Sequence, residues 1–456
     1  MSLSKLGVSV TSENAKLLVK YLSDVENLND NDIPLQKSTS KLGWIGGDFI
    51  PYDTDILFDG DLQFRQLYES IRQQGSYMEW LNHVCDLRKR DRMEIKFFLA
   101  ASFASVLVGL LGALPFIVDL WGETEGGKTV AMMLAASVWA SPADSMYIGD
   151  FKTTDVQLEV RSDLLNNLPL MLDDSSKVNA RIKDNFEGVV YDLCSGKGKS
   201  RSNRELGIRK ENRWKNAILT NGERPLNSYV TQGGAINRII EVECGEKVFA
   251  DPQYTANFLK KNYGFAGKEF VKAIKEIGVD QIREMQAEIQ KEIYRDDAMQ
   301  KQSIALSVIL TADRIATDRI FCDGEYIDVE SAKKVLASQS EVSENERCYR
   351  YLIDKISMNN QRFDVAVNVE QWGIIDQGYA IMYIPAVKGL CESGSYSYKA
   401  FMNWADKNGL LQTDGKNQTK NKKMGKKAVR CVWLKLDSSM DSDGFSPADQ
   451  EELPFK

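Results

Sequence analysis

The sequence predicts an α/β fold in which a largely parallel sheet is flanked by helices. Three observations support this. Between about residues 93 and 248, apolar strand-like segments alternate with helix-like segments, which is typical of a parallel sheet. Residues 249–340 are charged and helical in period, as expected of a helical lid. In 341–436, short amphipathic helices mix with strands. Residues 1–92 predict a mixed α/β region, and the acidic tail 437–456 predicts disorder.

The stretch Phe97–Trp121 has 25 residues and the single charge Asp119, which is long enough to cross a bilayer. Gly112 and Pro115 interrupt it, so we predict a buried helix followed by the buried strand 115–121, and no membrane contact. Four further core strands are predicted at 145–150, 168–174, 216–223 and 237–244.

Composition excludes several protein classes. A net charge of −7 argues against coating DNA through bulk charge, although two local segments are basic. The seven cysteines form no C-x-x-C pair and His83 is the only histidine, so we predict neither a zinc site nor Ser-His or Cys-His catalysis. Scattered cysteines and an N-terminus without a signal-peptide pattern predict a cytoplasmic protein.

Residues 122–129 follow the pattern G-x-x-x-x-G-K-T between a predicted strand and a predicted helix, which is the context of a phosphate-binding loop. Its backbone N–H groups and the helix N-terminus would hold the phosphates of ATP. Lys128 would reach the β- and γ-phosphates, and Thr129 would bind Mg²⁺. The predicted nucleotide contacts are Gly122, Glu123, Thr124, Glu125, Gly126, Gly127, Lys128, Thr129 and Val130. The alternative is a glycine-rich turn.

The predicted strand LPLMLDD ends in two acids about 45 residues after the loop. We predict that Asp173, on a neighbouring strand, binds Mg²⁺ together with Thr129, and that Asp174 polarises the attacking water. Most such ATPases have glutamate as the second acid, and the shorter aspartate predicts slower hydrolysis. A plain Asp-Asp helix cap is the alternative.

The next predicted strand, NAILTNGE, ends in polar residues. In ring ATPases a polar residue here senses the γ-phosphate and orients water, so Asn221 is the first candidate and Thr220 the second. Arg238 stands at the start of the last strand, from which it would reach the γ-phosphate of a neighbouring subunit. An ordinary surface arginine is the alternative.

Segment 196–215, between the metal strand and the sensor strand, holds eight basic and two acidic residues. Its Gly-Lys-Gly-Lys start suggests a turn. An insertion here predicts a hairpin in the channel of a ring helicase, where basic side chains contact single-stranded DNA. The candidate contacts are Lys197, Lys199, Arg201 and Arg204. A solvated basic surface is the alternative.

A second segment, 416–435, holds eight basic residues and no acids. It follows the amphipathic segment SYSYKAFMNWADKNGLL, and a helix followed by a basic hairpin is the outline of a winged helix that binds duplex DNA. The candidate contacts are Lys416, Lys420, Lys422, Lys423, Lys426 and Lys427. The alternative is a winged helix that contacts only protein.

The C-terminal residues Gln450, Leu453 and Phe455 fit the pattern Q-x-x-L-x-F. This pattern resembles the peptide by which bacterial replication proteins bind the sliding clamp. An idle solubilising tail is the alternative.

Several of these segments, with FKTT at 151–154, NYGFAG at 262–267 and KQSIALSVILTADRI at 301–315, resemble the P-loop ATPases grouped as domain of unknown function 927. The resemblance covers roughly residues 5–360, and 196–223 is its most specific part. Relatives include helicases of staphylococcal cassettes and pathogenicity islands, which are ring ATPases similar to minichromosome-maintenance helicases. The resemblance implies a hexameric, DNA-translocating helicase of mobile-element replication.

We therefore predict an AAA+/RecA-like P-loop core with a helical lid and a C-terminal winged helix, assembled as a homo-hexamer. ATP hydrolysis with Mg²⁺ at subunit interfaces would move DNA during replication of a phage or mobile element. Two other classes remain open. One is an origin-binding initiator or regulator that does not unwind DNA. The other is a P-loop kinase or small-molecule phosphotransferase, which would not need the two basic segments.

Overall fold

The computed structural model describes residues 7–436 except 54, 61–63, 91, 144–145, 176–185, 200–210, 231–232, 246, 295–299, 338–342, 365–366, 368, 416 and 425–426. The strands are β1 Ser38–Thr39, β2 Gly43–Ile45, β3 Asp48–Ile50, β4 Leu57–Phe58, β5 Phe116–Trp121, β6 Gly149–Asp150, β7 Leu170–Asp173, β8 Ala217–Gly222, β9 Ile239–Glu243, β10 Gly373–Asp376, β11 Tyr379–Tyr383, β12 Lys420–Met424 and β13 Lys427–Lys435. The α-helices are Ala15–Leu28, Arg65–Ser70, Tyr77–Arg88, Met93–Val108, Lys128–Ser137, Asp155–Leu165, Phe186–Ser195, Gly233–Ile236, Pro252–Leu259, Ala266–Ile277, Val279–Glu292, Gln300–Ala316, Val329–Lys333, Glu344–Met358, Ile384–Ser393 and Tyr398–Lys407.

The central sheet has five parallel strands in the spatial order β6-β7-β8-β5-β9. All five predicted core strands are confirmed, although β6 is only two residues long. The chain crosses from β5 to the far edge and returns one strand at a time, so β8 lies between β5 and β7. The prediction that the strand carrying Asp173 neighbours the phosphate-loop strand is therefore wrong. The carboxyl ends of β5, β7 and β8 still meet at one edge, where ligands bind in open α/β sheets.

Helix Met93–Val108 forms the centre of the core. It packs against helix Gln300–Ala316 and strand β8, and nearly all of its residues are buried, as expected of a helix that is apolar on every side. Its hydroxyls are satisfied: Ser102 donates to Ala135 O at 2.8 Å, and Ser105 donates to Asn167 O at 2.7 Å. The stretch that could have spanned a bilayer is thus a core helix and a core strand. Among the residues described, no helix is long and apolar enough to cross a membrane.

Part of the predicted N-terminal region shares this core, since Leu42, Phe49 and Trp80 belong to the same buried cluster as the sheet. Arg88, which is 1% exposed, anchors the region through an ion pair with Asp323 at 2.9 Å. Removing either partner of a buried ion pair is costly, because the remaining charge is then buried without compensation.

The C-terminal residues have a separate hydrophobic core and an antiparallel sheet in the order β10-β11-β13-β12. Helices Ile384–Ser393 and Tyr398–Lys407 form a helix-turn-helix, in which Ser397 caps the second helix by accepting from Ala400 N. Gly409, with φ +68°, ends that helix in the left-handed conformation that favours glycine. The hairpin β12–β13 follows, so the predicted winged-helix-like domain is confirmed.

Candidate nucleotide and nucleic-acid sites

The phosphate loop lies at the carboxyl end of β5, and two of its glycines are required by close contacts. A Cβ at Gly122 would lie 2.5 Å from the carbonyl oxygen of Cys244, and a Cβ at Gly127 would lie 2.9 Å from the Phe249 ring. Gly127 also has φ +98° at the start of helix Lys128–Ser137. The loop therefore curls tightly enough for its backbone N–H groups to face a phosphate.

The Lys128 side chain lies along the inside of this loop. Its ammonium donates to Gly122 O at 2.9 Å and to Glu123 O. A carbonyl oxygen is a weaker partner for an ammonium than a phosphate oxygen, so Lys128 can exchange these bonds for a bound triphosphate.

Thr129 and Asp173 come together beside the loop, with Oγ1 and Oδ1 3.5 Å apart. The Asn221 amide, on the intervening strand β8, donates to the same Asp173 oxygen at 2.8 Å. Hydroxyl and carboxylate oxygens are the ligands that Mg²⁺ prefers, with phosphate oxygens and water completing its shell. The donor set thus fits a magnesium ion that binds with a nucleotide.

Asp174 follows directly and adopts a left-handed backbone, with φ +61°. Its N–H donates to Asn221 Oδ1 at 2.6 Å. The Asn221 side chain therefore connects the Asp173 carboxylate to the backbone of Asp174. The second sensor candidate, Thr220, instead donates to Asp119 at 2.6 Å inside the sheet. Burial raises the pKa of Asp119 to about 7.

The side chains of Lys128, Thr129, Asp173, Asp174 and Asn221 line one cleft of about 620 Å³. Its lining includes six residues that were not candidates from the sequence patterns: Gly222, Glu223, Lys247, Phe249, Ala250 and Pro252. Glu223 accepts a hydrogen bond from the Thr124 hydroxyl at 2.8 Å. Its place as the last polar residue of the predicted sensor strand was the signal in the sequence that could have found it.

A second cleft, of about 370 Å³, shares Thr129 and Asp173 with the first. Arg161 lies in its wall, and burial lowers the pKa of this guanidinium. Asp150 pairs in register with Asp173 across β6 and β7 and lines the same cleft. The sequence patterns did not indicate Asp150 or Arg161.

Arg238 lies at the opposite, amino-terminal end of the sheet, where its carbonyl accepts from Ile117 N at 2.9 Å. Its guanidinium stacks 3.9 Å from the Tyr191 ring and donates to Gly234 O at 2.7 Å. The hydrogen bond to Arg238 lowers the pKa of Tyr191. Arg238 is therefore remote from the phosphate loop of its own chain.

Segment 196–215 begins and ends as an antiparallel hairpin, because Lys197 pairs with Arg213 and Gly198 N donates to Asn212 O at 2.9 Å. The Lys197 side chain is exposed. Lys199 instead forms ion pairs with Asp192 at 3.1 Å and Asp155 at 3.6 Å. The hydrogen bond to Asp192 raises the pKa of Lys199, and these contacts hold the hairpin base to the adjacent helices. Arg201 and Arg204 lie outside the described residues.

The lysines of the wing hairpin fall into two groups. The ammonium groups of Lys420 and Lys422 lie 4.6 and 5.2 Å from the centroid of the Trp433 ring, and Lys422 also pairs with Asp376 at 2.5 Å. Lys423 and Lys427 are exposed. Two further candidates, Lys416 and Lys426, lie outside the described residues, as do the clamp-binding candidates Gln450, Leu453 and Phe455.

Comparison with known proteins gives two family matches. Residues 1–213 match the family described as domain of unknown function (DUF927), and residues 343–439 match the Cch helix turn helix domain. The predicted resemblance to the first family is confirmed, over a shorter range than predicted. No curated protein matches the chain.

A solved structure described as "SCCmec type IV Cch - active helicase" is similar to this chain, with a TM-score of 0.73 and 15% sequence identity. The match covers 96% of this chain and 86% of that one. At this identity the match shows a shared fold. A second structure, described as "The A form apo structure of NrS-1 C terminal region-CTR", matches with a TM-score of 0.35 and 13% identity, over 83% and 80% of the two chains.

Proposed function

We propose that the protein is an ATP-dependent DNA helicase or translocase, because residues 1–213 match the DUF927 family and residues 343–439 match the Cch helix turn helix domain. It would act in the replication of a phage or mobile genetic element. The observation that carries the proposal is the hydrogen-bonded set of Thr129, Asp173 and Asn221 beside the phosphate loop. The fold shared with a structure described as an active helicase also supports it.

ATP is the proposed substrate, bound in the cleft of about 620 Å³. Lys128 would leave the loop carbonyls and bind the β- and γ-phosphates. Thr129 and Asp173 would hold Mg²⁺, which neutralises charge on the phosphate oxygens. Asn221, hydrogen-bonded to Asp173 and to the backbone of Asp174, is suited to orient the attacking water. A carboxylate that polarises this water is also needed, and Asp174 is the candidate from the sequence pattern.

A ring assembly accounts for the position of Arg238. Its guanidinium lies at the amino-terminal end of β9, so in a homo-hexamer it would serve the nucleotide of an adjacent subunit. To do so it would have to leave its stacking contact with Tyr191, which is 46% exposed. This proposal links ring closure to a side-chain movement at the interface.

DNA would contact the two basic segments. Lys197, with Arg201 and Arg204 further along the hairpin, would follow the backbone of a single strand in the channel. Lys423 and Lys427 on the wing, with Lys416 and Lys426, would contact the phosphates of duplex DNA. The tail residues Gln450, Leu453 and Phe455 are proposed to bind a sliding clamp, and the protein is proposed to act in the cytoplasm.

Strand displacement on a forked DNA substrate tests the proposal, with ATP and Mg²⁺ present. We expect unwinding by the wild type and none by Lys128→Ala, which should still bind duplex DNA through the winged helix. Unwinding by Lys128→Ala would exclude this nucleotide site as the source of energy. Loss of both unwinding and DNA binding in the variant would contradict two separate sites.

An origin-binding initiator or regulator is the second candidate function. Asp174 lines the nucleotide cleft with a side chain one methylene shorter than glutamate, which favours slow hydrolysis and hence a nucleotide-controlled switch. Such a protein would bind duplex DNA in an ATP-dependent manner and displace no strand in the same assay.

A further inference from the structure

Glu223 begins the chain segment that leaves strand β8, and β8 is the direct neighbour of the phosphate-loop strand. Gly222 pairs with Trp121 at the end of β5, and Gly122 N donates to Gly222 O at 3.2 Å. The first residue of the loop and the residue before Glu223 therefore lie side by side.

The carboxylate of Glu223 reaches over this loop. Its Oε1 accepts from the hydroxyl of Thr124, the third residue of the loop, at 2.8 Å. Glu223 is exposed to the cleft that Lys128 and Asn221 also line. A negative charge here repels a triphosphate in the ground state, and a neutral amide could also accept a hydrogen bond from Thr124. The charge therefore needs an explanation other than support of the loop.

Asp174 is less well placed for the water-polarising role. Its left-handed backbone is fixed by the bond from its N–H to Asn221, and its side chain is one methylene shorter than that of glutamate. Glu223 offers the longer side chain, and its carboxylate is held at the phosphate loop by the Thr124 hydroxyl.

We propose that Glu223 is the carboxylate that polarises the attacking water. This inference rests on the proposed ATPase function. The carboxylate accepts a proton from water as the water oxygen bonds to the γ-phosphorus of ATP. The bond from that phosphorus to the bridging oxygen breaks, and ADP leaves with its electron pair. The proton then passes from Glu223 to the released inorganic phosphate.

Four variants of the full chain test this role. Glu223→Gln removes the charge and keeps the size, and Asp174→Asn does the same for the alternative acid. Thr124→Val removes the hydroxyl that holds Glu223 but leaves the carboxylate in place. Glu284→Gln, at an exposed position on helix Val279–Glu292, is the matched surface control. For each variant we would measure kcat at saturating ATP with Mg²⁺ and single-stranded DNA. The Kd of a fluorescent ATP analogue and the ratio of bound ATP to ADP complete the set.

We expect Glu223→Gln to lower kcat by about 100-fold or more, as for loss of a general base. Its Kd for the ATP analogue should change by less than about threefold, and its bound nucleotide should remain ATP. Thr124→Val and Asp174→Asn should each cost at least tenfold less in kcat than Glu223→Gln, and Glu284→Gln should match the wild type.

Three outcomes would overturn the role. If Glu223→Gln has a kcat near that of the wild type, Glu223 does not polarise the attacking water. If Thr124→Val lowers kcat as much as Glu223→Gln does, Glu223 acts only by supporting the phosphate loop. If Asp174→Asn lowers kcat more than Glu223→Gln does, Asp174 is the carboxylate that polarises the attacking water. Failure of the wild type to hydrolyse ATP at all would instead contradict the proposed ATPase function, and with it this step.

Discussion

The two groups of wing lysines should behave differently when DNA binds. Lys423 and Lys427 are exposed, and neither forms an ion pair within the described part of the chain. Lys420 and Lys422 cover the Trp433 ring, so their charges already have a partner. We expect Lys423→Ala/Lys427→Ala to weaken duplex binding through lost phosphate contacts. Lys420→Ala/Lys422→Ala should mainly destabilise the wing.

The size of this effect follows from counterion release. Each phosphate contact contributes about −0.9 to the slope of log affinity against log salt concentration, so two lost contacts reduce the slope by about 1.8. If the non-electrostatic part is unchanged at 1 M salt, the exposed pair contributes about 200-fold in affinity at 50 mM salt and about 20-fold at 200 mM. The covered pair should change the slope little and lower the melting temperature, since each cation–π contact stabilises by about 0.5–1 kcal/mol.

Fluorescence anisotropy with a labelled duplex, at four salt concentrations between 50 and 200 mM, measures both slopes. The double variant of Lys420 and Lys422 is the matched control, because it removes the same charge from the same hairpin. Equal slopes for the two double variants would refute the division of the wing into two lysine groups. A wild-type slope retained by both would refute DNA contact by the wing.

Other predictions concern the nucleotide site, the hairpin and the core. Asn221→Ala should lower kcat of ATP hydrolysis by about 100-fold without loss of nucleotide binding, because the amide that orients water is removed; a steady-state assay and a nucleotide titration check this. Lys197→Glu should abolish stimulation of hydrolysis by single-stranded DNA, and unchanged stimulation would argue against a channel hairpin. Arg88→Met should reduce the free energy of unfolding in urea by about 3–5 kcal/mol, since it leaves buried carboxylates without a partner. The raised pKa of Asp119 means that the folded state holds a proton between about pH 4 and 7 that the unfolded chain has lost, so its contribution to stability falls as pH rises through this window. Asp119→Asn should flatten the dependence of urea unfolding on pH.

Local patterns were enough to predict the central sheet and the phosphate loop. The strand before the loop, the glycines within it and the helix after it are contiguous in sequence, so their spacing alone fixes their relation. The same holds for the C-terminal domain, where helix Tyr398–Lys407 and the basic hairpin follow each other directly. The DUF927 resemblance agrees with these patterns for residues 1–213.

Contacts between distant segments could not be predicted in this way. A count of basic residues treats Lys197 and Lys199 alike, but only Lys199 meets Asp155 and Asp192. The position of β8 between β5 and β7 depends on the crossover of the whole chain. Glu223 ends the predicted strand NAILTNGE, but it became a candidate only when the structure placed its carboxylate at Thr124.

Steady-state ATP hydrolysis, with and without single-stranded DNA, tests the central claim most directly. It should be measured on the wild type and on Lys128→Ala. If the protein is a DNA-translocating ATPase, DNA will strongly stimulate hydrolysis by the wild type, and the variant will show neither basal nor stimulated activity. Hydrolysis that is unaffected by DNA, or that survives in Lys128→Ala, would contradict a motor driven by this nucleotide site.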